Sequence, residues 1–152
     1  LCACGLLPAV DETAPPASDQ QLALETLLEF LTDLHDGRYP EAVELYAGTY
    51  ETMIYFNPSV DPQDRAGLMQ NACTINGAQC LAVRTAGLDR QTTYTEFLFK
   101  VEFQTEDGML FVLGPCCGAS ETEQPPTSVF QLRVVKDSGG RFHVTDMPPY
   151  AP

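Results

Sequence analysis

The residues whose type and spacing constrain chemistry most are six cysteines: Cys2, Cys4, Cys73, Cys80, Cys116 and Cys117. The first two lie in Leu1-Cys2-Ala3-Cys4-Gly5. A leucine ahead of a cysteine, with small residues between, has the form of a bacterial lipobox. The signal peptidase needs small side chains at its scissile bond, and the cysteine thiol takes the diacylglyceryl group. Cys4 is therefore the expected lipidation site, and Cys2 is a less usual residue at its position. The apolar leader that precedes a lipobox is not in the sequence, so the expectation is a trimmed chain that has lost it. One lipidated cysteine can carry more than one acyl chain, and anchoring becomes stable with two or more.

The other four cysteines lie farther along the chain. In an exported protein an even set reads first as disulfides. Cys73 and Cys80 flank an Asn76-Gly77 turn and could staple it. Cys116 and Cys117 are adjacent, so they close on each other only as a small strained ring, or each pairs elsewhere. The favoured expectation is a crossed pairing, with Cys73 and Cys80 each bridged to the Gly114-Pro115-Cys116-Cys117-Gly118 segment. The alternative is Cys73–Cys80 with a vicinal Cys116–Cys117 bond. A four-cysteine zinc site fits poorly, because such sites use close pairs of the Cys-x-x-Cys kind. The same missing motif argues against a redox centre. No metal site and no cofactor is expected.

Acid–base chemistry has few candidates. His35 and His143 are the two histidines. His35 falls in the last turn of an expected helix, where a cation complements the helix dipole. His143 alternates with Phe142 and Val144 and should face away from them. No Ser-His-Asp set assembles by spacing, so no catalytic residue is assigned. Tyr46, Tyr50, Tyr55 and Tyr94 are the candidate pocket residues, since a tyrosine offers an apolar ring and a hydroxyl together.

The elements that position these residues follow from periodicity. Residues 6–17 hold three prolines and no period, and read as a solvated tether. The domain then spans 18–152. Ser18 caps a helix over 18–36, with Leu24, Leu27, Leu28, Leu31 and Leu34 on one stripe and Gly37 as its stop. Pro40 opens a second helix ending at Gly48, with Ala42, Val43, Leu45 and Tyr46 inward. A third covers 50–56. A fourth starts at Asp61-Pro62 and runs to about Cys73.

From there the period becomes two. Strands are expected at 80–86, 92–104, 109–113, 128–136 and 141–147. In the second, Phe97, Phe99, Val101 and Phe103 share one face, and Glu96, Leu98, Lys100 and Glu102 the other. Glu106-Asp107-Gly108 is a hairpin turn. The run Met109-Leu110-Phe111-Val112-Leu113 is continuously apolar, which predicts a central strand. Helices followed by strands define an α+β class: N-terminal helices packed on a curved antiparallel sheet of four to five strands.

The chain has 152 residues, 44% of them hydrophobic, and a formal charge of −13 from 21 acidic and 8 basic residues. That size suits one domain with a real core. Without a basic cluster, phosphate neutralisation and hence nucleic-acid binding are excluded. An anionic membrane surface would also repel the body, leaving the N-terminal lipid as its expected membrane contact. No Asp-x-Asp-x-Asp-Gly calcium loop is present.

With this element order, and with Gly37-Arg38-Tyr39-Pro40-Glu41-Ala42-Val43-Glu44-Leu45-Tyr46 at a helix junction, the chain resembles the NTF2-like (cystatin-like) α+β superfamily. The resemblance covers residues 18–150. It implies helices wrapped by a bent sheet into an open-mouthed cone. It also implies three kinds of function: non-catalytic binding of a small ligand or protein partner, lyase or isomerase chemistry, or homodimerisation through the outer sheet face. For catalysis, the resemblance implies a base within the cone, drawn from Asp33, His35, Glu96, Glu102 or Asp146. The first reading, an extracytoplasmic lipid-anchored binding domain, is the expectation carried forward.

Overall fold

The structure, a computed structural model, describes residues 17–151. The lipobox, Cys4 and all of the expected tether but Ala17 lie outside the described residues.

Helix α1 (Asp19–Asp36) begins where expected, with the Ser18 hydroxyl accepting from the Gln21 N–H at 3.2 Å. It ends on Gly37 in the left-handed region, φ 75°. There the Arg38 N–H donates to the Asp33 carbonyl at 2.8 Å, the αL closure that favours glycine. Its buried face is Ala23, Leu27, Phe30, Leu31, Asp33 and Leu34. The apolar stripe is therefore centred nearer Phe30 than the leucine count predicts, and Leu24 and Leu28 flank it half-buried.

Three short helices follow: α2 (Tyr39–Glu44), α3 (Glu51–Phe56) and α4 (Arg65–Thr74). Two of them are shorter than predicted. Helix α2 stops at Glu44 because the next residues run alongside the sheet edge: Val144 N–H donates to Leu45 O at 2.8 Å, and Ala47 N–H donates to Val144 O at 2.9 Å. Helix α4 starts at Arg65, not at Asp61-Pro62. Asp64 is the cap, accepting from Gly67 N–H at 2.9 Å, while Asp61 folds its own turn onto the Gln63 N–H. Between α3 and α4, buried Asn57 donates to Met53 O and Asn76 Oδ1 and accepts from Asn71, so three amides tie both helices to the following turn.

The sheet has four antiparallel strands in the order β1 (Ala82–Thr93), β2 (Glu96–Gln104), β3 (Phe130–Lys136) and β4 (Phe142–Val144). This is the α+β class expected. Strand β1 is longer than predicted and forms a hairpin with β2 about Tyr94-Thr95. Three register irregularities interrupt that pairing, and bulges of this kind bend a strand and add twist. Phe97, Phe99, Val101 and Phe103 are buried beneath α1, as their alternation requires.

The expected central strand at 109–113 is a correction. It folds back from the Asp107-Gly108 turn onto the end of β2, where Phe111 N–H donates to Phe103 O at 2.9 Å. Met109, Leu110 and Val112 are exposed. A continuous apolar run cannot distinguish a central strand from a peripheral one that buries a single face. Here β3 takes the place beside β2, and residues 109–113 hold only its margin.

The cysteines also depart from the favoured pairing. Cys73 and Cys80 are bonded to each other across the Asn76-Gly77 turn, and Cys116 and Cys117 are free thiols. The crossed arrangement is thus replaced by the local staple, and the vicinal bond of the alternative is absent. The physical reason is distance along the chain: a helix end and the residues just past a tight turn are neighbours already. The chain's end closes the same corner, with Ala151 N–H donating to Gly77 O and Gln79 N–H to Pro149 O.

Candidate functional site

The four candidate tyrosines separate into two pairs. Tyr94 sits at the β1–β2 hairpin tip, where with Gln91, Thr92 and Thr93 it borders an open surface hollow of about 560 Å³, and Tyr55 lies on the outside of α3; they are 94% and 79% exposed. Tyr46 and Tyr50 come together edge to face, ring centroids 5.2 Å apart, and Tyr46 stacks on Phe30 at 5.7 Å. Arg65 lies over the Tyr50 ring, 4.2 Å from its centroid.

The stretch between α2 and α3 positions this pair. Tyr46 donates its hydroxyl proton to Thr49 O at 3.0 Å. Gly48 is required there: a Cβ would stand 2.2 Å from Thr145 O and 2.3 Å from the Tyr46 hydroxyl. Beside them is a pocket of about 350 Å³ whose polar lining includes Tyr46, Thr49, Thr52, Asp146 and Tyr150, with Met53 and the Pro148-Pro149 pair as apolar walls. The Asp146 carboxylate is held in place by the Arg133 backbone N–H at 2.8 Å. Burial raises the Tyr46 hydroxyl pKa well above its usual range, helped by Tyr50, Tyr150 and Asp146 nearby. Tyr50 and Tyr150 are raised as well, chiefly by burial.

The remaining ionisable candidates serve structure. Asp33 is buried and receives Arg38 at 2.7 Å. Glu96 pairs with Arg133 at 3.1 Å, and Glu102 accepts from Thr85 at 2.8 Å. His35 Nδ1 lies 3.1 Å from Cys80 O. His143 is not solvent-facing as its alternation implied; Nε2 lies 2.9 Å from Asp137 Oδ2. A second groove of about 530 Å³ runs between α1 and the start of β1, past Leu28, Thr32, His35 and Arg84. It collects fewer of the candidate groups than the tyrosine pocket does.

Sequence reasoning missed Tyr150, Thr49 and Met53. Met147-Pro148-Pro149 reads in sequence only as a strand stop. Nothing local announces that the chain beyond it docks on Gly77 and presents Tyr150 to Tyr46. Among the described residues, no group of three or more His, Cys, Asp or Glu is arranged to hold a metal ion. No helix among them is long and apolar enough to cross a membrane.

Fold and site together define an α+β domain with a tyrosine-lined pocket at one end of an open sheet. No protein-family model, curated protein or solved structure matches the chain.

Proposed function

We propose that this chain is an extracytoplasmic, lipid-anchored binding domain that takes a small cationic, hydrogen-bonding ligand, of the amine or amino-sugar class, in the pocket of Tyr46, Asp146 and Tyr150. The observation that carries the reading is the meeting of two tyrosine rings and one anchored carboxylate around a cavity with apolar walls. Tyrosine faces attract cations, and Asp146 supplies the counter-charge. The formal charge of −13 favours the approach of a cation over an anion. A binding role is supported further by the structural partners that Asp33, Glu96 and Glu102 already have.

The NTF2-like reading rests on element order and on the bulged first strand, and is proposed on that basis. Export is supported by the lipobox-like start and by the Cys73–Cys80 bridge, since disulfides persist in oxidising compartments.

Two experiments test the proposal. Thermal shift against a panel of primary amines, amino sugars, neutral sugars and carboxylates should find stabilisers among the first two classes. Asp146→Asn should abolish that stabilisation, and selection of carboxylates instead would sink the assignment. For the anchor, the full precursor made in a bacterial host should partition into detergent, and its Cys4→Ala variant into water. Equal partitioning would remove the lipid.

A further inference from the structure

Cys116 and Cys117 stand on an excursion, residues 114–126, that leaves and re-enters the fold through one reciprocal pair of backbone bonds. Leu113 N–H donates to Thr127 O at 2.8 Å, and Thr127 N–H to Leu113 O at 2.9 Å. Within it, Gln124 Oε1 accepts from Cys116 N–H at 2.9 Å, and Cys116 O accepts from Ala119 N–H at 3.0 Å. The second bond closes a tight turn whose central residues, Cys117 and Gly118, both have positive φ, 63° and 86°. Cys117 is the one non-glycine in that region among the described residues. Such a conformation costs energy for a residue with a Cβ. It turns the Cys117 side chain to solvent, while Cys116 is half-buried beside a cavity of about 380 Å³ shared with Glu123, Gln124 and Tyr150.

The two thiols are neighbours within one tight turn, and hydrogen bonding to Cys117, with some burial, raises the Cys116 pKa. Two neighbouring reduced thiols of unequal exposure, in a chain whose other described cysteines are bridged, are arranged for ordered exchange.

We propose that Cys116-Cys117 is a reactive vicinal dithiol, a modification site for small-molecule disulfides that ends as an intra-loop disulfide. The exposed Cys117 thiolate attacks one sulfur of the small disulfide. Its S–S bond breaks, a Cys117 mixed disulfide forms, and one thiol leaves after taking up a proton. Cys116 then loses its proton and attacks the Cys117 sulfur. The mixed disulfide breaks, the Cys116–Cys117 bond forms, and the second thiol leaves. Two protein thiols are oxidised, one small disulfide is reduced to two thiols, and no other electron acceptor is needed. The ring made by adjacent cysteines is strained, and strained exposed disulfides are the readily reduced class. The site therefore reopens with excess thiol, while Cys73–Cys80 stays closed.

The test treats the full chain with oxidised glutathione and maps peptides without reduction. The peptide holding both residues should be lighter by two hydrogens and carry no adduct. Cys116→Ser should stop at a stable glutathione adduct on Cys117. Cys117→Ser should react at least about tenfold more slowly, as expected for the less exposed, higher-pKa thiol. Both changes are at a surface loop, and an intact Cys73–Cys80 peptide in each variant verifies the fold. Stable adducts on the wild-type pair, no reaction, or a bond from either residue to Cys2 or Cys4 would overturn the proposal.

Discussion

At the residue scale, Asp137 and Tyr46 make stability depend on pH in opposite directions. The Asp137 carboxyl is held down to about 2, first by the Arg141 backbone N–H, then by His143 and the Gly139 N–H. Its ordinary value is 3.8, so the folded state prefers the ionised form. That contribution is complete above the ordinary value and is lost as pH falls through the folded one. Melting temperature should therefore drop between about pH 4 and 2. Asp137→Asn should lower it at neutral pH and flatten that acid limb. An unchanged acid limb would mean that other carboxylates dominate. Tyr46 works in the opposite direction. Its pKa is raised above the ordinary 10.0 by burial, so its contribution is full below pH 10.0 and declines above it. Tyr46→Phe should soften the alkaline limb in a melt series. It should also cost about 1 kcal/mol at neutral pH through the lost bond to Thr49. Gly48→Ala should cost more, about 1–3 kcal/mol, because backbone and ring atoms already occupy the space its Cβ needs.

At the scale of elements, the corner made by α4, the Asn76-Gly77 turn and the chain end is held by one disulfide and by backbone bonds that include those from Ala151 to Gly77, Gln79 to Pro149 and Ala78 to Ala72. A loop as short as the one Cys73–Cys80 closes restricts the unfolded chain modestly. Replacing both cysteines with serine should lower unfolding free energy by about 2–3 kcal/mol in urea titration. A loss near zero would place the stability of this corner in the Asn57, Asn71 and Asn76 amides instead. Helix α1 depends on its apolar face. Phe30 is fully buried and also supports Tyr46, so Phe30→Ala should cost about 3–5 kcal/mol and loosen the pocket with the core.

At the scale of the whole molecule, the outer sheet face bears on self-association. Lys100 pairs with Asp89 at 2.9 Å, Arg133 with Glu96 at 3.1 Å, and Gln131 donates to Asp89. Leu98 on that face is 5% exposed, lying between its cross-strand neighbours Arg90 and Arg133. Long side chains cover apolar surface with their stems while their charged ends stay wet. A face so satisfied offers little to a second copy. Sedimentation in low salt should find a monomer, and a dimer there that Leu98→Glu disperses would reverse this view. With a charge of −13, added salt should also raise the melting temperature by screening self-repulsion.

Periodicity alone determined the class of this protein. The Ser18 cap, the Gly37 stop and the alternation from Phe97 to Phe103 are local signals, and each produced its element because backbone geometry repeats on the scale of a few residues. Tyr46 was legible as a pocket candidate only as one of four tyrosines, each offering an apolar ring and a hydroxyl, and its inward direction followed from the helix period after Pro40. Neighbours distant in sequence were decided only by the tertiary structure. Tyr50 packs edge-on against Tyr46 without lining the pocket, and Tyr55 faces solvent, because side chains five residues apart on a helix point roughly 140° apart. The apolar run at 109–113 lost the central place to β3, since hydrophobicity measures burial and carries no partner. Cys73 bonded Cys80, and Cys116 kept Cys117 as a reduced neighbour, because pairing depends on distance in space. Tyr150 and Asp146 meet Tyr46 through the docking of the chain end on Gly77, a contact that no short pattern in the sequence encodes.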